Sequence, residues 1–196
     1  MNHHIRSSST SATSSDRNRR RSGAFPRVTL IFLCVLGALT AIAGPLAASP
    51  DDAASLEGLL KPYESVRLAL LGDELAPVAP AAKRLLAVLE GIESGSADAD
   101  ALGVPADHAD AVRTLLPEMR TAASSLAAAD SLEAARDAFY ALSQPLVRWL
   151  HHTGEESALE VAYCPMKKRS WVQPKGPIGN PYGGQQMPTC GSVVSR

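Results

Sequence analysis

The chain has 196 residues, with 19 Lys and Arg against 20 Asp and Glu, and a length that suits one domain once an N-terminal leader is set aside. Residues 1–43 hold six of the basic and one of the acidic residues, so the remainder carries a net charge of −6. That balance excludes a nucleic-acid binder, whose affinity comes from neutralising phosphates, and suits a soluble domain that attracts cations weakly.

The N-terminus is polar and cationic, ending in Arg19, Arg20, Arg21 and Arg27. An uncharged apolar run follows from Val28 to Ala43 and closes on small residues before Gly44 and Pro45. This order of basic, apolar and small-residue regions predicts an export signal over residues 1–48, with Ala41-Ile42-Ala43 as a cleavage pattern. The destination is the periplasm or beyond; contact with a membrane arises only if the segment stays uncleaved as an anchor. Cys34 sits inside the apolar run, which leaves Cys164 and Cys190 in the mature chain.

Residues 51–161 are rich in Ala and Leu and predict four helices. Their apolar seams are Leu56, Leu59, Tyr63, Val66, Leu70, and Val78, Ala82, Leu85, Leu89, Ile92. Two more follow: Val112, Leu115, Met119, Ala122, Leu126, and Leu132, Ala135, Phe139, Leu142, Leu146, Trp149. Steps of three and four residues keep each stripe on one helix face. Pro77 and Pro80 suit a first helical turn, and Ser94-Gly95-Ser96 a helix end. Asp130 with Glu133 reads as a capping box, with Gly154 as the stop. Pro62, Pro117 and Pro145 fall inside the pattern and predict kinks or breaks. Short links favour an all-α, antiparallel up-down four-helix bundle. In that topology His108 meets His151 and His152 at one end of the bundle, and the final segment departs from the same end.

From Ala162 the composition changes. Residues 162–196 contain five prolines, several glycines, both remaining cysteines, and Met166 and Met187. The expectation is an irregular, loop-rich segment packed on the bundle and tied down by a disulfide, a metal ion or docking. Cys164-Pro165-Met166 and Met187-Pro188-Thr189-Cys190 are near-mirror pairs of a thiol and a thioether. Soft sulfur donors select Cu(I) or Ag(I), and finger-like zinc spacing is absent. The alternative is a Cys164–Cys190 disulfide that locks an envelope protein-interaction module, with both methionines as packing. His152 is an additional candidate ligand, ahead of His108 and His151. A helix-terminal position facing the C-terminal dipole is the more ordinary explanation of His151 and His152.

Three further features complete the motif: Phe139, Leu142 and Ser143; Trp171; and Asn180-Pro181-Tyr182. With C-P-M and M-x-x-C-G, residues 134–166 and 178–191 resemble a bacterial periplasmic domain of unknown function. That domain occurs alone or attached to membrane-fusion adaptors of copper/silver efflux pumps. The resemblance implies a helical bundle, heavy-metal binding through Cys164, Met166, Met187 and Cys190, a link to an efflux adaptor, and no enzymatic activity. Lys167, Lys168 and Arg169 depart from it, since the family more often has a small residue after C-P-M; the expectation is a solvated turn, the alternative a charge balance for an anionic bis-thiolate–Cu(I) complex. No nucleophile, zincin or phosphate-loop motif is present.

Overall fold

The computed structural model describes residues 54–95, 97–154 and 157–194; the expected export signal at residues 1–48 lies outside them. Five helices come first: α1 (Leu56–Leu71), α2 (Val78–Glu93), the single-turn α3 (Ala109–Arg113), α4 (Leu116–Ala127) and α5 (Leu132–Leu150). Three strands follow, β1 (Leu159–Cys164), β2 (Arg169–Pro174) and β3 (Ser192–Val194), in an antiparallel sheet of order β2-β1-β3. Among the described residues no helix is long and apolar enough to cross a membrane.

The sheet overturns the all-α expectation, and with it the four-helix bundle as the description of this domain. The fold is mixed, with helices first and strands last in the chain. The physical reason lies in residues 159–174. Leu159, Val161 and Tyr163, then Trp171 and Val172, are strand formers placed either side of a four-residue turn, Pro165–Lys168. Their prolines, which read as loop signals, sit where a strand tolerates them: Pro165 in the turn and Pro174 at the end of edge strand β2. Lys168 takes the left-handed conformation (φ 53°) that closes the turn. The expected boundary between residues 161 and 162 therefore cuts through β1.

The helical seams bury as the spacing predicts. Leu59, Val66, Leu70, Leu85, Leu89, Phe139, Leu142, Leu146 and Trp149 are all fully buried, whereas Leu56, Leu115 and Leu132 at seam positions are only partly so. Pro62 and Pro145 lie within helices that run unbroken past them. Pro117 does mark a break, because α3 ends at Arg113 and α4 starts afresh with proline in its first turn. The cap of α5 is Ser131, whose side chain accepts from the Ala134 amide at 3.2 Å, and not Asp130; the helix stops at Leu150, ahead of Gly154.

The sheet and helices share one core that includes Val161, Ala162, Cys164, Trp171, Val172 and Tyr182. A buried hydroxyl network joins them. Ser143 donates to the Phe139 carbonyl at 2.8 Å, so its oxygen accepts from the Tyr63 hydroxyl, also 2.8 Å away. The Tyr63 oxygen in turn accepts from the Val172 amide of edge strand β2 at 3.1 Å. Tyr182 donates to the Ser170 carbonyl at 2.8 Å. Burial holds the Tyr63 phenol well above its ordinary range, so it remains a donor throughout the physiological range. Tyr63→Phe should cost about 1–3 kcal/mol, because it leaves a buried amide unpaired while preserving the ring. A urea midpoint indistinguishable from wild type would contradict this role.

Candidate functional site

The long segment from Lys175 to Gly191 is held by side chains of the helices. Arg67, nearly buried, makes a bidentate pair with Glu64 (2.7 and 2.6 Å) and donates to the Gly179 carbonyl at 2.7 Å. Burying a lone guanidinium would cost several kcal/mol, and this full set of partners offsets it. Arg136 of α5 donates to the Pro181 carbonyl at 3.0 Å and the Leu70 carbonyl at 3.1 Å, and pairs with Asp73. Asp73 also accepts from the Gln185 amide at 3.1 Å. Gly184 (φ +51°) fits against this cluster, where an added Cβ would collide with the Asp73 carboxylate and the Arg136 guanidinium.

The Gln185 amide, followed by Arg136, holds the Asp73 carboxyl below its ordinary value. A depressed carboxyl adds stability above its unfolded pKa, about 3.9, and that contribution disappears as pH falls through the lower folded value. Asp73→Asn should therefore lower Tm at pH 7. The gap between the two proteins should close as both are taken below about pH 4, and a gap independent of pH would argue against an ionic contribution.

Asn180, fully buried, turns this anchored loop toward the cysteines. Its side-chain oxygen Oδ1 accepts from the Tyr182 and Gly183 amides at 2.9 and 3.1 Å, an Asx-type turn that explains the N-P-Y-G spacing. Its side-chain amide donates to the Cys190 carbonyl at 2.9 Å and also faces the Cys164 sulfur. Cys190 reaches its place through the pairing of β3 with β1, in which Ser192 lies opposite Tyr163.

The two sulfurs stand 2.9 Å apart, both as free thiols. Cys164 is fully buried and Cys190 half-buried. Burial opposes ionisation of Cys164. It is outweighed by the Cys190 thiol, the Lys167 amide (3.4 Å), the Met166 amide and the Asn180 side chain, which hold the Cys164 thiol below its usual value. The Cys190 thiol is pushed up, chiefly through its hydrogen bond to Cys164 and then through burial. The turn after β1 thus aims two successive amides at the Cys164 sulfur.

Of the other candidates, Met166 is 72% exposed at the tip of the same turn, and its amide faces both sulfurs. Met187 is half-buried and belongs to the Gly183–Cys190 turn, with the Cys190 amide donating to its carbonyl at 3.2 Å. His152 is not brought to them. Its ring lies 5.1 Å from that of His108, so these two histidines do meet, within the mixed fold and not the expected bundle. The final segment leaves from that end, but β1 then runs back along the domain. Six residues of strand carry the chain roughly 17–20 Å. Met166 and Lys167 consequently line a cleft with Glu133, Arg136 and Asp137, at the opposite end of α5 from His152. Among the described residues no three of His, Cys, Asp and Glu group for a metal ion.

Lys167 and Lys168 are exposed, but Arg169 is not part of a solvated turn. It pairs with Asp137 at 2.6 Å and lies over the Tyr140 and Tyr182 rings, 5.1 and 5.5 Å from their centres. The residues that the sequence reading passed over as site components are Asn180 and Arg136. Asn180 was visible only as part of a motif, and Arg136 carried no local signal because its partners are backbone carbonyls distant in sequence.

No family model matches the chain, and no curated protein or solved structure matches it either.

Replacing Asn180 with Ala removes a buried hub and should cost roughly 1–3 kcal/mol. Alkylation of Cys164 in the native protein should become faster as the Cys190 segment loosens. An unchanged labelling rate would mean that the segment is positioned without it.

Proposed function

We propose that this chain is an exported soft-metal-binding protein that holds Cu(I) or Ag(I) through Cys164 and Cys190. Met166 serves as an exposed third donor. In this reading the protein buffers the ion, or hands it to a heavy-metal efflux adaptor, outside the cytoplasm; it is a binding protein and not an enzyme. The observation that carries the reading is the meeting of two thiols 26 residues apart in sequence, with two amides aimed at sulfur from the turn that also carries the exposed Met166. Thiolate and thioether donors favour soft monovalent ions, and hydrogen bonds from an outer shell orient such ligands and tune them.

The donor set fits the ion with one adjustment. With the zinc–sulfur length of about 2.3 Å as a guide, two of three bonds in a trigonal site would hold the sulfurs roughly 4 Å apart. The present 2.9 Å must therefore widen by about 1 Å for an ion to enter. Cys190 is half-buried and outside any strand, and rotation of its side chain, with the backbone held, supplies that widening. Met187 remains a second thioether candidate on that same turn. His152 is left out because of its place beside His108. The leader-like N-terminal sequence and the C-P-M, N-P-Y and M-x-x-C-G resemblance support the location and the efflux connection.

Anaerobic titration of the reduced protein with Cu(I) against a competing chelator tests this. One equivalent should bind, Cys164→Ser and Cys190→Ser should each abolish competition, and His152→Ala should leave it intact. Met166→Leu should weaken binding by about tenfold, or 1.4 kcal/mol. Reduced, folded protein that fails to take copper from the chelator would overturn the proposal.

A further inference from the structure

We infer that Cys164 and Cys190 form a redox-active dithiol with fixed roles. Cys190 exchanges with an external low-molecular-weight disulfide, and Cys164 resolves the mixed disulfide that results. Three observations carry this. The sulfurs are 2.9 Å apart, so forming a bond of about 2.05 Å needs a closure of less than an ångström. Their exposures are unequal: Cys164 is fully buried at the end of β1, while Cys190 is half-buried between exposed Thr189 and half-exposed Gly191. And the segment bearing Cys190 is fixed in place by Asn180, which holds its carbonyl, and by the pairing of β3 with β1.

The chemistry divides accordingly. Cys190 is the harder of the two thiols to ionise but the one an external disulfide can reach; it gives its proton to solvent, and its sulfur attacks one sulfur of that disulfide. A Cys190–external S–S bond forms, the external S–S bond breaks, and one thiolate leaves and takes up a proton. The Cys164 sulfur, after losing its own proton, then attacks the Cys190 sulfur. The protein disulfide forms as the mixed one breaks, and the second external thiolate departs. Two protein thiols are oxidised by two electrons, and one external disulfide is reduced to two thiols. Nothing from outside needs to reach Cys164, because its sulfur already stands beside that of Cys190.

This exchange does not depend on metal binding. Its consequence for metal does rest on the proposed function: a closed disulfide removes both thiolates, so oxidised protein would hold no soft ion and reduced protein would hold one.

Reduced full-length protein is equilibrated with glutathione buffers of increasing disulfide content, quenched in acid, alkylated and mapped by peptide mass, which separates Cys34 from the pair. Wild type is expected to pass from two free thiols to an internal Cys164–Cys190 disulfide, with a transient glutathione adduct on Cys190 alone. Cys164→Ser should accumulate that adduct stably. Cys190→Ser should keep Cys164 free of glutathione until unfolded. The inference is overturned if wild type retains both thiols across the series, or if the early adduct lies on Cys164. Near-ultraviolet circular dichroism checks that each variant folds; if either does not, the position of the wild-type transient adduct decides alone. A separate Cu(I) titration of reduced and oxidised wild type keeps the two ideas apart. Failure of reduced protein to bind sinks the metal reading only, while a missing internal disulfide sinks the redox inference only.

Discussion

The hydroxyl of Tyr63 is where the two halves of this fold become one. An edge strand presents unpaired amides, and a short sheet of three strands has little to stabilise it alone. Here the Val172 amide of β2 finds its acceptor on α1, and that same oxygen donates its proton to Ser143 of α5. One side chain thus fixes the sheet against two helices at once. Tyr63 and Phe139 rings in contact at 4.8 Å, with Phe139 against Tyr182 at 6.0 Å, extend the junction as packed aromatics.

The sulfur site follows from that docking. With β2 fixed, β1 must run antiparallel beside it, and Cys164 emerges at the end of the domain near the start of α5. β3 then pairs on the other side of β1 and brings Cys190 back to the same end. The two cysteines meet because Cys164 ends the central strand and Cys190 lies just before β3 at that same end. Asn180 adds the local precision, satisfying the turn that precedes Cys190 and presenting its amide to both cysteine residues.

Much of the helical part was legible because its signal is periodic. Val78 to Ile92 and Ala135 to Trp149 repeat every three or four residues, and burial follows that repeat. The sheet was hidden for a physical reason. Its strands are six residues or fewer, and their prolines and glycines mark the turns between them more loudly than Val161 or Trp171 marks the strands. The meeting of Cys164 and Cys190 was readable as a pairing of motifs. The placement of His152 was not, since it depends on whether the chain after α5 continues outward or doubles back, and only strand formation by residues 159–164 decides that. The role of Arg136 could not be seen in sequence at all, because a carbonyl acceptor leaves no trace in residue type.

Arg67 and Arg136 give the Lys175–Gly191 segment an anchorage that owes nothing to sulfur. Small metal-dependent domains commonly collapse when stripped, because the ion is their main cross-link. In this molecule the cross-linking is done by guanidinium groups gripping main-chain oxygens at Gly179 and Pro181. Anchorage and thiols are therefore separable: the proposed binding or oxidation at sulfur would leave the ground beneath it still.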